Sequence, residues 1–135
     1  MNWYLKAWKN AFTLEGRARR SEYWWFQLTH AIICVIAGIL VGIFGGFSAA
    51  MAHHDNYAGL VPLVLFIIVF AIYSLAVIVP SFSLTVRRLH DTNRSGWWML
   101  VSLIPGIGGL VFLVLMLIQG DRGENQFGPD PKAYN

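Results

Sequence analysis

The densest group of side chains that could do acid–base chemistry is the pair His90 and Asp91, set among Arg87, Arg88 and Arg94. A His–Asp pair can serve as a general base. However, no nucleophilic Ser or Cys motif and no metal-ligand spacing accompanies this pair. Ion-pair networks are common outside active sites, and arginines beside an acid can hold a turn closed through charge-assisted hydrogen bonds. We therefore predict a turn clamp of Arg88, His90 and Asp91, and no catalytic residue.

A second group with metal-binding side chains, His53, His54 and Asp55, lies between two apolar stretches. Three adjacent ligands without a fourth favour a metal site only weakly, so a solvated loop is the expected structure. The single cysteine, Cys34, cannot form an intramolecular disulfide, and we expect it to act as a small packing residue. We predict no metal site and no cofactor.

Six arginines, with tryptophans close by in the sequence, are the main candidates for a binding surface. Each basic residue near an anionic membrane surface contributes about 1 kcal/mol of attraction. We expect these residues to contact anionic phospholipid or a partner protein. The alternative is that they only fix the orientation of the chain in the membrane. The six are Arg17, Arg19, Arg20, Arg87, Arg88 and Arg94.

Composition indicates the elements that must carry these side chains. Hydrophobic residues make up 56% of the chain and charged residues 13%, about half the share usual in soluble domains. No Asp, Glu, Lys or Arg occurs in three stretches, each longer than the roughly 20 residues that cross a bilayer as a helix. These stretches are 23–52, 56–86 and 95–120. We predict a single all-α membrane domain with three transmembrane helices, at 23–51, 59–86 and 96–118.

The third apolar run is interrupted by Pro105 and Gly106, followed by Gly108 and Gly109. A full third span would place the polar tail, 119–135, outside the cytoplasm. The alternative is a re-entrant hairpin that turns at the Pro-Gly segment and returns the tail to the cytoplasm. Each arm of that hairpin would be too short to cross alone, so length favours the full span.

The first 14 residues predict an amphipathic helix, with Lys6 and Lys9 on the polar face and aromatic residues on the other. Such a helix suits the membrane interface, although it could also pack on a partner protein. Five of the ten Lys and Arg residues precede the first span, three follow the second, and none lies in the loop between them. The positive-inside rule therefore predicts a cytoplasmic N-terminus.

Gly38, Gly42 and Gly46 form two overlapping G-x-x-x-G steps in the first predicted span. Small residues at this spacing let two helix backbones approach closely in a membrane. The steps predict close helix packing, either in a homo-oligomer or against another span of the same chain. The motif does not distinguish between these two partners.

Several blocks of the sequence, taken together and in order, resemble the domain-of-unknown-function 805 family. They are Trp3-Tyr4-Leu5-Lys6, Gly16 to Trp24, Arg87 to Thr92, Ser95-Gly96-Trp97-Trp98, Ile104-Pro105 and Gly123 to Pro131. The resemblance covers essentially the whole chain. It implies a small multi-pass helical protein of the bacterial inner membrane, and it implies no established activity, substrate or cofactor.

From these observations we predict a non-enzymatic, multi-pass inner-membrane protein that interacts with lipid or with other proteins and does not bind nucleic acid. A second hypothesis is an oligomeric channel or small-solute transport subunit, with the broken third helix lining a shared path. A third is an enzyme acting on lipid headgroups through His90 and Asp91. The ligand, the physiological process and the oligomer number stay open at the level of sequence.

Overall fold

Helices are the regular elements of the fold in the residues that the computed structural model describes, 3–52 and 60–133. Five helices and no β-strand occur in these ranges. In chain order they are α1 (Trp3–Lys9), α2 (Arg20–Ala52), α3 (Leu60–His90), the 3-10 helix η1 (Gly96–Leu103) and α4 (Gly108–Leu117). The predicted all-α fold class is confirmed.

Two of these helices, α2 and α3, are long and apolar enough to cross a membrane. Their 33 and 31 residues give lengths of about 50 and 46 Å, against about 30 Å of hydrocarbon. Their apolar side chains are largely exposed, with Val35 at 63% and Leu75 at 69%. A core helix of a soluble protein would bury such residues, so this exposure is typical of contact with lipid.

The C-terminal end of α3 runs further than the predicted span. It continues to His90, so that Arg87, Arg88 and His90 occupy its last turn rather than a connecting loop. Positive charge is favourable at this end of a helix because unpaired carbonyl groups accumulate there. Asn93 then takes a positive φ of 56° and lets the chain reverse.

The third apolar run forms two short helices, η1 and α4, with Pro105 and Gly106 between them. Gly108 lies so close to η1 that a Cβ there would sit 2.3 Å from the carbonyl oxygen of Val101. The two helices measure about 16 and 15 Å, and neither is long enough to cross the bilayer by itself. The predicted third transmembrane helix is not confirmed.

Both outer ends of this third run lie at the same turn. The run leaves the turn just after Arg94, and beyond its far end the backbone N–H of Asp121 donates to the carbonyl of Asp91 at 2.8 Å. Gly120 is buried against the Asp91 carboxylate. The chain therefore leaves the turn at η1 and comes back to it after α4, which is the geometry of the re-entrant alternative.

Helix α1 packs on the start of α2. The rings of Tyr4 and Phe26 stack with their centroids 5.2 Å apart, and Ala7 is fully buried. Lys6, assigned from sequence to the polar face, forms an ion pair with Glu22 at 2.7 Å. The helix is thus docked on the chain's own second helix, and it is shorter than the predicted segment of 14 residues.

The chain divides into two compact units, Met1–Gln27 with Val79–Asn135 and Leu28–Ile78. In the second unit α2 and α3 run antiparallel. Phe44 contacts Phe66 with ring centroids 5.9 Å apart, and His30 Nδ1 lies 3.0 Å from the hydroxyl of Tyr73.

The glycine steps of the second unit do not pack against any described part of the chain. A Cβ built on Gly38, Gly42 or Gly46 would meet no atom of the described residues within 4 Å. Close packing of these glycines against another span of the same chain is therefore not seen there. The homo-oligomer interpretation stays a prediction.

Candidate functional site

A buried carboxylate, that of Asp91, is the centre of a cluster of ion pairs and hydrogen bonds. Its Oδ2 accepts from Arg88 Nη1 at 2.9 Å, and its Oδ1 accepts from Arg17 Nε at 3.0 Å. All three side chains are at least 99% buried. Burial raises the pKa of Asp91, and the positive charges of Arg88 and Arg17 oppose that rise. One carboxylate is thus the counter-ion of two guanidinium groups that are both buried away from water.

The remaining donors of these two arginines bind carbonyl groups of the C-terminal segment. Arg17 donates to Gly123 O at 2.6 Å and to Asp121 O at 2.5 Å. Arg88 donates to Ile118 O and, over 3.4 Å, to Met116 O. Because a buried guanidinium needs partners for its five N–H groups, these carbonyls complete the site that Asp91 begins. The cluster therefore ties the end of α3 to the tail.

His90 takes no part in an Asp–His pair. Its Nδ1 lies 3.3 Å from the carbonyl oxygen of Gly16, which can only accept, so Nδ1 carries the proton. Its ring stacks on Phe127 with centroids 3.9 Å apart and planes within 2°. Asn125 donates its side-chain amide to the His90 carbonyl at 2.9 Å. Among the described residues no hydrogen bond joins the side chains of His90 and Asp91.

The three residues of the predicted turn clamp, Arg88, His90 and Asp91, lie at the same turn, but they do not all bond to one another. Arg88 and Asp91 form the expected ion pair across one turn of chain. His90 instead packs against Phe127 and holds Gly16. No dyad for general-base chemistry is formed, because both oxygens of Asp91 are occupied by arginine.

A second ion-pair cluster joins the first three helices. Glu22 Oε2 accepts from Lys6 Nζ at 2.7 Å, and Glu22 Oε1 lies 3.7 Å from Arg87 Nη1. Sequence reasoning missed Glu22. The available signal was that it is the one carboxylate between Glu15 and Asp55, placed at the start of an apolar stretch. A lone buried acid needs a buried cation, and Arg87 supplies it.

The fold divides the six candidate arginines into two sets. Arg17, Arg87 and Arg88 are buried in the two clusters, so a lipid headgroup does not reach them without opening the protein. Arg20 is exposed, and Arg19 and Arg94 are half-buried. The single surface of six arginines expected from sequence is therefore three surface residues beside three internal ones. The internal set was not separable by sequence, because most of its partners, the carbonyl groups of the tail and the carboxylate of Glu22, are distant along the chain.

An apolar groove of about 400 Å³ lies beside the end of α3. Its lining is apolar apart from His90 and Ser95, and it is bounded by Trp97, which is 78% exposed. Exposed tryptophan is typical of the headgroup level of a membrane. Other lining residues are Leu14, Phe82, Val86, Met99 and Leu100.

Metal ligands are not assembled in the described part of the chain, where no group of three His, Cys, Asp or Glu side chains could hold an ion. The sequence candidates His53, His54 and Asp55 lie outside the described residues.

Comparison with known sequences decides the family. The family described as "Protein of unknown function (DUF805)" matches residues 11–129. The chain belongs to this family. The resemblance drawn from the motifs is thereby confirmed, and the buried Arg17 and Asp91 lie inside the matched range. No solved structure matches the chain.

Two relatives from Escherichia coli strain K12 are named as inner membrane proteins. YhaH is 42% identical over 132 residues, which cover 98% of each chain, and YhaI is 39% identical, covering 98% of this chain and 97% of its own. A third relative, the uncharacterized protein YiiR, is 30% identical over 145 residues, covering 88% and 86% of the two chains. The names of YhaH and YhaI support a bacterial inner-membrane location.

Proposed function

We propose that this DUF805 protein is a non-enzymatic component of the inner membrane whose basic surface contacts anionic phospholipid at the cytoplasmic face. The observation that carries the proposal is the division of the arginines. Arg19, Arg20 and Arg94 stay at the surface, while the buried set is neutralised internally. Two surface arginines near an anionic leaflet contribute roughly 2 kcal/mol of attraction.

The placement of His90 and Asp91 supports the non-enzymatic interpretation. A general base must reach the proton that it removes. The Asp91 carboxylate is buried between two arginines, and the His90 ring lies flat on Phe127 with its Nδ1 directed to a carbonyl. The alternative of a lipid-headgroup enzyme gains no support from these two residues.

The membrane topology that we propose has two crossing helices, α2 and α3, followed by a re-entrant hairpin of η1 and α4. Two observations support it: the short helices of the third run, and the hydrogen bond that brings Asp121 back to Asp91. Re-entrant backbone is tolerated where other helices shield it from lipid. By the positive-inside rule, the N-terminus, the basic turn and the tail then all face the cytoplasm.

An oligomeric channel subunit is the second candidate, and the broken third run is the observation that favours it. Non-helical backbone at membrane depth can line a water-filled path when several protomers surround it. The exposed glycine steps of α2 supply a surface on which protomers could meet.

The lipid proposal is tested with two double variants, each of which removes two positive charges from a different part of the surface. Replacing Arg20 and Arg94 with Gln should remove most of the phosphatidylglycerol that stays bound through detergent washing, as counted by native mass spectrometry. The control replaces Arg122 and Lys132, which are exposed and also carry two positive charges. Equal loss in both double variants would show a dependence on net charge alone, and unchanged retention in the first would refute the proposal.

A further inference from the structure

The apolar groove of about 400 Å³ beside the end of α3 follows the direction of that helix. Phe82, Val86 and His90 line it at intervals of four residues, so they lie on one face of α3. The rise from Phe82 to His90 is about 12 Å. Helix η1 contributes Met99 and Leu100 to the lining. The groove therefore extends along the last turns of α3, between that helix and η1.

The polarity of the lining changes along this length. His90 is the last residue of α3, whereas the lining residues one and two turns earlier are apolar. The backbone N–H of Arg94 donates to the carbonyl of Leu89 at 3.0 Å, so the chain folds back here and places Ser95 near His90. Trp97, which is 78% exposed, follows at once, and exposed tryptophan is typical of the headgroup level. The groove thus has an apolar end and a polar end.

His90 presents a hydrogen-bond acceptor at the polar end. Its Nδ1 carries the proton, because it faces the carbonyl oxygen of Gly16 at 3.3 Å. In the neutral ring Nε2 is then an acceptor, and no residue of the described ranges donates to it. Phe127 covers one face of the ring, which leaves the Nε2 side and the other face for the groove. A ligand with a hydroxyl group complements this position.

Positive charge at the same end comes from Arg94, which directly precedes Ser95. Its guanidinium makes one long hydrogen bond, from Nη1 to the carbonyl of Thr92 at 3.4 Å, and no ion pair within the described part of the chain. The buried arginines, by contrast, each have a carboxylate partner. Glu15, the acid next to the lining residue Leu14, is exposed and does not neutralise Arg94 through an ion pair there. The polar end therefore favours a ligand that carries negative charge.

The dimensions of the groove favour a lipid chain over a helix of another protein. One leaflet is about 15 Å thick, half of the hydrocarbon layer, which is close to the length of the groove. Two turns of a helix about 10 Å across would occupy roughly 850 Å³, about twice the volume available. Apolar walls do not by themselves select a lipid, because lipid tails are as apolar as the side chains. Selection must come from the polar end.

We propose that this groove is a binding site for one acyl chain of an anionic phospholipid, whose headgroup hydroxyl donates to Nε2 of His90 and whose phosphate is attracted by Arg94. The inference rests on the proposed function, because it gives one lipid of that basic surface a defined position. Phosphatidylglycerol carries both the negative charge and the hydroxyl groups, so it is the probe.

Filling the groove tests the site. Leu100→Trp adds bulk from a lining position that is 50% exposed, and Leu103→Trp is the control, since Leu103 is 74% exposed on the same helix and outside the lining. Each protein is purified in neutral detergent, checked by a melting curve and titrated with phosphatidylglycerol and with phosphatidylcholine under native mass spectrometry. Leu100→Trp should bind phosphatidylglycerol about tenfold more weakly, the loss of one hydrogen bond to a charged group, and Leu103→Trp should bind like the parent.

Two modified lipids test the position of the chain and the role of His90. Phosphatidylglycerol with a photoreactive group on its acyl chain should label Phe82 and Met99, and Leu100→Trp should abolish this labelling. Labelling of Leu75, a lipid-exposed residue of α3 outside the groove, should not change. An analogue with methylated headgroup hydroxyls keeps the charge and the chains but cannot donate, so it should bind about fivefold more weakly.

The outcomes separate this inference from the proposed function. Equal phosphatidylglycerol affinity in Leu100→Trp and the parent, or labelling that persists in Leu100→Trp, overturns the groove site and leaves the surface contacts of Arg20 and Arg94 standing. Equal binding of the methylated analogue overturns the role of His90. Loss of crosslinked dimers in Leu100→Trp, with lipid binding retained, overturns the lipid in favour of a second copy of the chain. No preference for phosphatidylglycerol over phosphatidylcholine in any protein overturns both proposals.

Discussion

Asp91 and Asp121 are joined through their backbones, with the N–H of Asp121 donating to the carbonyl of Asp91 at 2.8 Å. This bond closes a loop that contains the whole third apolar run. A helix that crossed the membrane once would end about 30 Å from where it began, and such a bond would then not form. The proposed cytoplasmic position of the tail rests on this contact.

The tail should therefore lie in the cytoplasm. A fluorescent protein fused after Asn135 should fluoresce in cells, and alkaline phosphatase fused at the same position should be inactive. The same two reporters fused after Ala52, in the loop without Lys or Arg, serve as the opposite control. Active phosphatase at Asn135 would instead support three full spans.

Gly120 should not tolerate a side chain. A Cβ at this position would lie 1.8 Å from Oδ2 of Asp91 and 2.4 Å from its Cγ, so the carboxylate would have to leave its two arginines. We expect Gly120→Ala to lower the free energy of unfolding by roughly 1–3 kcal/mol, as for overpacking in a core. Gly109→Ala is the matched control, because a Cβ there meets nothing within 4 Å. Thermal melts that are equally lowered in both variants would contradict this interpretation.

Removing the charge of Asp91 should destabilise the fold strongly. Asp91→Asn leaves the buried guanidinium groups of Arg17 and Arg88 without a counter-charge, at a cost of about 3–5 kcal/mol. Asp121→Asn removes a charge of the same sign nearby, and its exposed side chain should matter little. Melting curves in detergent compare the two. If the Asp91 variant melts like the parent protein, the cluster does not stabilise the structure.

The glycine steps predict a specific helix contact between copies of the chain. Gly42→Leu should weaken any dimer, because a large side chain forces the two backbones apart. Gly42→Ala is the control at the same position, because a small residue still lets the backbones approach closely, and a Cβ there meets nothing within 4 Å. Crosslinking yields that fall equally, or in neither variant, would remove the glycine steps from the oligomer hypothesis.

Acid should loosen the end of the tail through Asp130. The backbone N–H groups of Lys132 and Gly123 donate to its carboxylate and lower its pKa. A lowered folded-state pKa gives stability that is present above the unfolded value of about 3.9 and is lost as the pH falls through the folded value. Protection of the Gly123 and Lys132 amides, measured by NMR, should therefore decrease only below about pH 4. In Asp130→Asn this step should disappear.

Sequence alone determined the elements that depend on local composition. The charge-free stretches predicted α2 and α3, since a helix long enough to cross hydrocarbon needs only an uninterrupted apolar run. The motifs predicted the family, and the clustering of Arg88 with Asp91 predicted their ion pair. Residues three positions apart near a helix end meet without help from the rest of the chain.

Tertiary structure decided everything that depends on distant partners. That both ends of the third apolar run lie at one turn was set by the contact of Asp121 with Asp91, which no local pattern encodes. Which arginines are buried was set by the partners that the fold supplies. Arg17 and Arg88 share the Asp91 carboxylate and also bond to the carbonyl groups of Asp121, Gly123 and Ile118, and Arg87 pairs with Glu22. A guanidinium leaves water only when such partners replace it, and that replacement is a property of the folded chain rather than of its sequence neighbours.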